Sequence, residues 1–391
     1  MIEIEISLMG TEAEAQRIKP WLDEFERQQR VRVRLVAFDW VGGWAKIVNM
    51  ALYGRGPDVS EVGSTWTASL ASMNALTPYS PVAISSIGDR QAFLDASWES
   101  CVIPGDARVW AIPWLADVHV LYYRRDVLEK ANIQADFGSH AGVESILTTL
   151  QQAGYQHPLS LIVSPEPNMI HAAASWVWRE GGHFIQSNDQ KVSFDQEQAL
   201  RGFVNYFGLR RFMAVGYAEN QNSWNKFLNS ERLVATATPA HYMQARENNP
   251  DMVKNWGAAS VVGASFMGGT NLAVWKHSRQ SGAALDLVKF LTEKASGFPA
   301  SPHAFRMPCR LSALNQLQES DDEIIKNIVD AVKTGHSYKI NPLWSLVEKG
   351  LIAELSTLWR SLLDDPQRVV EKTVRDSLLS LARRLNISFT G

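Results

Sequence analysis

The sequence is short of almost everything that marks a reaction centre. Its 391 residues hold two cysteines, Cys101 and Cys309. Two thiols cannot build a disulfide framework, nor a thiolate metal site on their own. They can pair once if the fold brings them together; otherwise they are small buried hydrophobes. G-x-S-x-G, H-E-x-x-H, C-x-x-C and G-x-x-x-x-G-K-[ST] are all absent, and no G-x-G-x-x-G follows the first strand. That removes the nucleophile elbow, the zincin helix, the thiol redox pair, the phosphate loop and the dinucleotide fingerprint. The nine histidines show no ligand spacing. His119 and His241 are the two placed where a ligand can reach, as hydrogen-bonding groups rather than metal ligands. No metal and no cofactor is expected.

Charge of one sign is also missing. Lys plus Arg number 38 against 41 Asp plus Glu, a net charge of -3, and no basic cluster stands out. A nucleic-acid partner is not expected. No apolar run approaches the roughly 18 residues of a membrane span. The first residues, MIEIEISLMG, lack a basic segment followed by an apolar one, so they do not read as a signal peptide. The chain is then either cytoplasmic or a mature chain whose leader has been removed.

What the sequence does have is tryptophan: fourteen, against nine tyrosines. Several stand beside Gly, Asp or Ser, where loops carry ligand-facing groups. The length points to two domains. Ile2, Ile4, Ile6 and Leu8 alternate with polar residues as in a strand, and Thr11 with Glu14 forms a capping box that opens a helix. Val31, Val33 and Leu35 alternate again. Gly43 precedes a helix that stops at Gly54, and residues 57–63 read as a short buried strand. Strands alternating with helices at this spacing predict an α/β fold on a parallel sheet. Residues 108–128 read as two strands joined at 113–117. Further strands are expected at 159–163, 232–240 and 257–262, with helices at 143–153, 193–209, 282–294 and through most of the chain from 320 onward. Asp58, Glu61 and Asp117 are the candidates for a carboxylate pair across a substrate, which a glycosidase requires. Asp58 reads better as a turn residue, and Asp117, between apolar pieces, is explained by a hydroxyl donor without any catalytic partner.

Six collinear segments then resemble the family 1 extracellular solute-binding proteins, receptors of sugar ABC importers similar to maltodextrin-binding protein. They are PDVSEVGSTWTASLASMNALTPYS, VWAIPWLADVHVLYYRRDVLEKANI, WVWREGG with VSFDQEQAL, FLNSERLVATATPAHYM, GGTNLAVWKHSRQSGAALDLVKFLT and RMPCRLSAL. The resemblance implies a two-lobed α/β periplasmic-binding-protein-like fold, with several hinge crossings and the ligand in the cleft. Lobe one is expected over 1–116 plus 264–315, and lobe two over 117–263 plus 316–391. It implies high-affinity binding of a small carbohydrate, no enzymatic activity, and a monomer that meets a membrane permease outside the cytoplasm. A non-sugar solute (a glycerophosphodiester or a polyamine) and a glycosidase remain the alternatives.

A sugar offers apolar C–H faces and a hydroxyl rim, so its site needs flat rings and planar hydrogen-bonding partners. Trp40 and Trp66, after the second and third strands and both on loops, are the expected ring platforms, with Ser64 beside Trp66. Trp114 and Asp117 stand at the first crossing, and Trp176 on a segment where either it or Trp178 faces the ligand. His241 and Tyr242 follow the TATPA strand. Gly268 and Gly269 are expected to bring bare amides near the ligand, or else to form a simple bulge, with Thr270 and Asn271 adding side chains. Arg306, next to Phe305 at the last crossing, either contacts the ligand or bridges the lobes. Trp44 is read as core.

Overall fold

The structure, a computed structural model, describes residues 2–186, 191–295, 306–341 and 343–390. Among the described residues ten strands follow one another: β1 (Ile2–Met9), β2 (Val31–Phe38), β3 (Val59–Gly63), β4 (Ile112–Val118), β5 (Val120–Arg124), β6 (Leu159–Ser160), β7 (Val234–Ala237), β8 (Trp256–Ser260), β9 (Met267–Val274) and β10 (Met307–Pro308). The chain divides into two compact units. The first is Met1–Asp117 with Gly268–Ser320 and Ile340–Pro342; the second is Val118–Met267 with Asp321–Lys339 and Leu343–Gly391. Residues 264–267 thus belong with the second unit and 316–320 with the first, a few residues from the boundaries expected above.

The first unit is built on a six-stranded sheet in the order β10-β4-β9-β3-β1-β2. Ile4, Ile6 and Leu8 of β1 are fully buried, because their alternation turns one face to the helices that cover it. The capping box forms as read: Thr11 accepts from the Glu14 amide and Glu14 answers to the Thr11 amide. The helix Lys19–Gln29 buries Trp21, Leu22 and Phe25, and Phe25 meets Phe290 of the helix Ser281–Lys294 at 5.4 Å. The second unit carries a four-stranded sheet, β6-β7-β5-β8. Helices Pro167–Arg179, Glu197–Gly208 and Trp344–Asp364 enclose a core with Phe203, Tyr206, Phe207 and Trp359 fully buried. The carbonyls that end the Trp344–Asp364 helix are met by Arg210, which donates to Leu362 and, just beyond the helix, to Asp365, Pro366 and Arg368. That satisfies acceptors a helix end leaves open.

Three local expectations give way. The sheets are mixed, not parallel: β1 runs parallel to β2 and β3, but β9 is antiparallel to β3 and β10 to β4. Residues 113–117 are not a joint; they are the body of β4, and the break before β5 is His119. The glycines of MGGTNLAV form no loop, because β9 runs straight through them. A Cβ on Gly269 would stand 2.1 Å from the Leu115 carbonyl oxygen, and its φ of +140° is one that side chains rarely adopt. Glycine is therefore needed for close strand packing against β4.

Candidate functional site

In the first unit, three tryptophans gather at the carboxyl ends of β2 and β3, where open α/β sheets bind ligands. Trp40 is not on a loop. It opens the helix Trp40–Tyr53, whose cap is Asp39: its carboxylate accepts the Gly42 amide at 2.7 Å. That hydrogen bond holds the Asp39 carboxyl below its usual range. Trp66 follows the turn after β3, and its ring centre lies 5.6 Å from Trp40 and 5.3 Å from Trp44. The rings tilt at 58° and 45°, so they form an aromatic corner rather than a stack. Trp66 is 8% exposed and Trp40 44%, so Trp40 presents the open face and Trp66 backs it. Trp44 is half-buried in this corner rather than core. Gly63 makes the room, since a Cβ there would press the Trp66 indole at 3.3 Å. Ser64 fixes the turn with its amide, which donates to the Gly269 carbonyl at 2.9 Å.

Beside the corner lies a charged cluster. Arg306 donates from Nη1 to Glu61 Oε1 at 2.5 Å and from Nη2 to Thr270 Oγ1 at 3.1 Å. Its partner is within its own unit. Burial works against the Arg306 charge, but the Glu61 and Asp117 carboxylates outweigh it and raise its pKa above the ordinary value. Asn271 is buried and gives its amide hydrogens to Thr67 Oγ1 and Ser100 Oγ. Trp114 is 1% exposed, inside the core. Cys101 and Cys309 are free buried thiols, both pushed up by burial, Cys309 to about 12.

In the second unit, the residues expected at the ligand divide. Trp176 lies on the inner side of the helix Pro167–Arg179, edge-on to His140 and near Tyr206. Trp178, two residues on, turns to Phe266, His336 and Tyr338 and stays half-buried. Tyr242 is buried, and its hydroxyl donates to Asp322 at 2.5 Å. His241 holds Thr238 Oγ1 at 3.1 Å, with Trp224 edge-on at 4.9 Å.

Sequence reasoning singled out His119 but missed the residues that gather around it. His119 contacts Asn168 Oδ1 at 3.3 Å, and its ring meets His171 and Phe266 edge-on. His171 lies flat on Phe266 at 3.9 Å and holds the Tyr338 hydroxyl at 3.0 Å. Burial lowers His119 and His241 to about 4 and His171 well below its ordinary value, so all three are neutral hydrogen-bonding groups at neutral pH. The spacing of Asn168 and His171, one helical turn apart, is the signal that could have found them.

The comparisons agree with this architecture. Residues 21–327 match the family described as bacterial extracellular solute-binding protein. A probable ABC transporter-binding protein of Deinococcus radiodurans is 25% identical over 199 residues, 46% of this chain and 47% of that one. The chain thus spans about half the length of that relative. The sugar-binding protein MalE of Xanthomonas citri superposes with a TM-score of 0.83 at 19% identity, over 99% of this chain and 97% of its own. Maltose-bound MalE3 of T. maritima gives 0.81 at 18% identity, over 99% and 100%. These likenesses give the fold, that of the two-lobed periplasmic binding proteins. With a family match across most of its length, the chain belongs to the bacterial extracellular solute-binding proteins.

Proposed function

We propose that this protein binds a small carbohydrate, a mono- or oligosaccharide, outside the cytoplasmic membrane and hands it as a monomer to the permease of an ABC importer. The aromatic corner of Trp40, Trp44 and Trp66 carries the reading. A sugar ring laid on the open Trp40 face removes roughly 50 Å² of apolar surface from water, about 1–2 kcal/mol. Its hydroxyls need hydrogen-bonding partners, and the half-buried Arg306 of the same unit offers donors. The family is described as solute-binding, and two structural relatives are described as sugar-binding or maltose-bound, which supports ligand capture.

A thermal-shift screen over mono- and oligosaccharides tests the proposal. At a hundred times its dissociation constant, a bound sugar adds about 2.7 kcal/mol to stability and raises the melting temperature. Shifts given only by a phosphodiester or a polyamine, with none from any sugar, would replace the carbohydrate reading with one of those solutes.

A further inference from the structure

Glu61 stands where a carboxylate is hard to explain by stability. It lies in β3, whose five residues are all buried, and is itself 1% exposed. Buried ion pairs are often no better for stability than apolar residues of the same volume. Here the carboxylate does two things. Oε2 accepts the Met9 amide at 2.8 Å, tying it to the end of β1, and Oε1 accepts Arg306 Nη1. Thr270, on the neighbouring strand β9, takes Nη2 of the same guanidinium. Arg306 is therefore held at two points by two strands, while its side chain keeps 21% of its surface open. A guanidinium has five N–H donors in a rigid fork; these two contacts fix its plane, and the Asp117 carboxylate also acts on its charge.

We propose that Glu61 is the positioning residue that fixes Arg306 for the ligand, with Thr270 as the second point of the clamp. The inference rests on the carbohydrate reading: a fixed fork recognises a particular pair of sugar hydroxyls, where a free arginine would recognise none in particular. Glu61 acts through Arg306 and touches no ligand.

A double-mutant cycle read by titration calorimetry tests this, using the sugar of largest thermal shift in a panel that includes maltose, maltotriose and trehalose. Arg306→Ala and Glu61→Gln should each weaken binding roughly ten- to a hundredfold, the range for charge-assisted hydrogen bonds. The double variant should be no weaker than Arg306→Ala alone, because both remove the same contact. Thr270→Val, close to isosteric, should lose less, and it carries the test if Glu61→Gln does not fold. Wild-type affinity in Glu61→Gln, or losses that simply add, overturns the positioning role while leaving the carbohydrate reading intact. No sugar binding at all overturns that reading, and the clamp's purpose with it.

Discussion

The three tryptophans of the corner are one residue type in three different jobs. Trp40 offers its ring to solvent, and Trp66 sits behind it against Gly63. Trp40→Ala should therefore weaken sugar binding about tenfold, the loss of one ring contact, with an unchanged melting temperature. Trp66→Ala should lower affinity and stability together, the latter by roughly 3 kcal/mol, because it empties packed space. Calorimetry and urea unfolding on both variants would separate them; equal affinity in Trp40→Ala and the parent would take that ring out of the site. That tryptophans follow the second and third strands was legible in the sequence, but that Trp40 starts a helix and which ring faces out was not. The same limit holds elsewhere. Asn271, Tyr242 and Trp176 are residue types that suit a ligand, yet Thr67, Ser100, Asp322 and Tyr206 meet them inside the fold. Those partners lie 30 to 204 positions away in sequence, beyond any local pattern.

At the scale of the element, glycine was the main source of misreading. Gly42 and Gly43 look like a break before a helix, yet the helix begins at Trp40 and runs through them. Asp39 offsets the low helix propensity by capping the first turn, and the helix passes close to Met9 at Gly43, where a Cβ would meet the Met9 methyl at 2.4 Å. Gly268 and Gly269 lie within a strand, and at Gly269 the reason is close approach to β4. Close approach between elements is a tertiary fact, so it leaves no period in the sequence, whereas the alternation of β1 and the capping box of Thr11 and Glu14 are local and were read correctly. The cap also makes a functional link, since Trp40 is the first residue of the helix it starts. Asp39→Ala should cost about 1 kcal/mol of stability. It should also weaken sugar binding severalfold by letting the first turn fray beneath Trp40. Asp39→Asn, which keeps a capping oxygen, should restore most of both. If Asp39→Ala leaves affinity untouched, the start of the helix does not set the ring.

At the scale of the whole molecule, the second unit buries His119, His171 and His241 in neutral form, and folding should therefore be linked to protons. His119 and His241 titrate near 4 in the folded chain, and His171 lies well below its ordinary value, each because burial penalises the cation. Their unfolded values lie near 6.5. The unfolded chain thus takes up protons first, and stability is lost as pH falls from about 6.5 towards 4, on the order of 3 kcal/mol for each of His119 and His241 at the lower end. Other ionisable groups pull the opposite way. Glu348, held by Trp344 Nε1 and buried, is raised to about 7, and Glu166 at the head of the Asn168–His171 helix is raised by burial. Such carboxyls favour the folded state at low pH and cease to do so as pH rises through the interval up to their folded values. Glu5 is also raised by burial, but Asp106 and Asp126, held low by hydrogen bonds from Arg108 and Arg124, act with the three imidazoles, so urea midpoints should drop between pH 7 and pH 4.5, and His119→Gln should flatten the slope. A midpoint that holds steady or rises on acidification in the parent would show that these imidazoles are solvated or paired on folding.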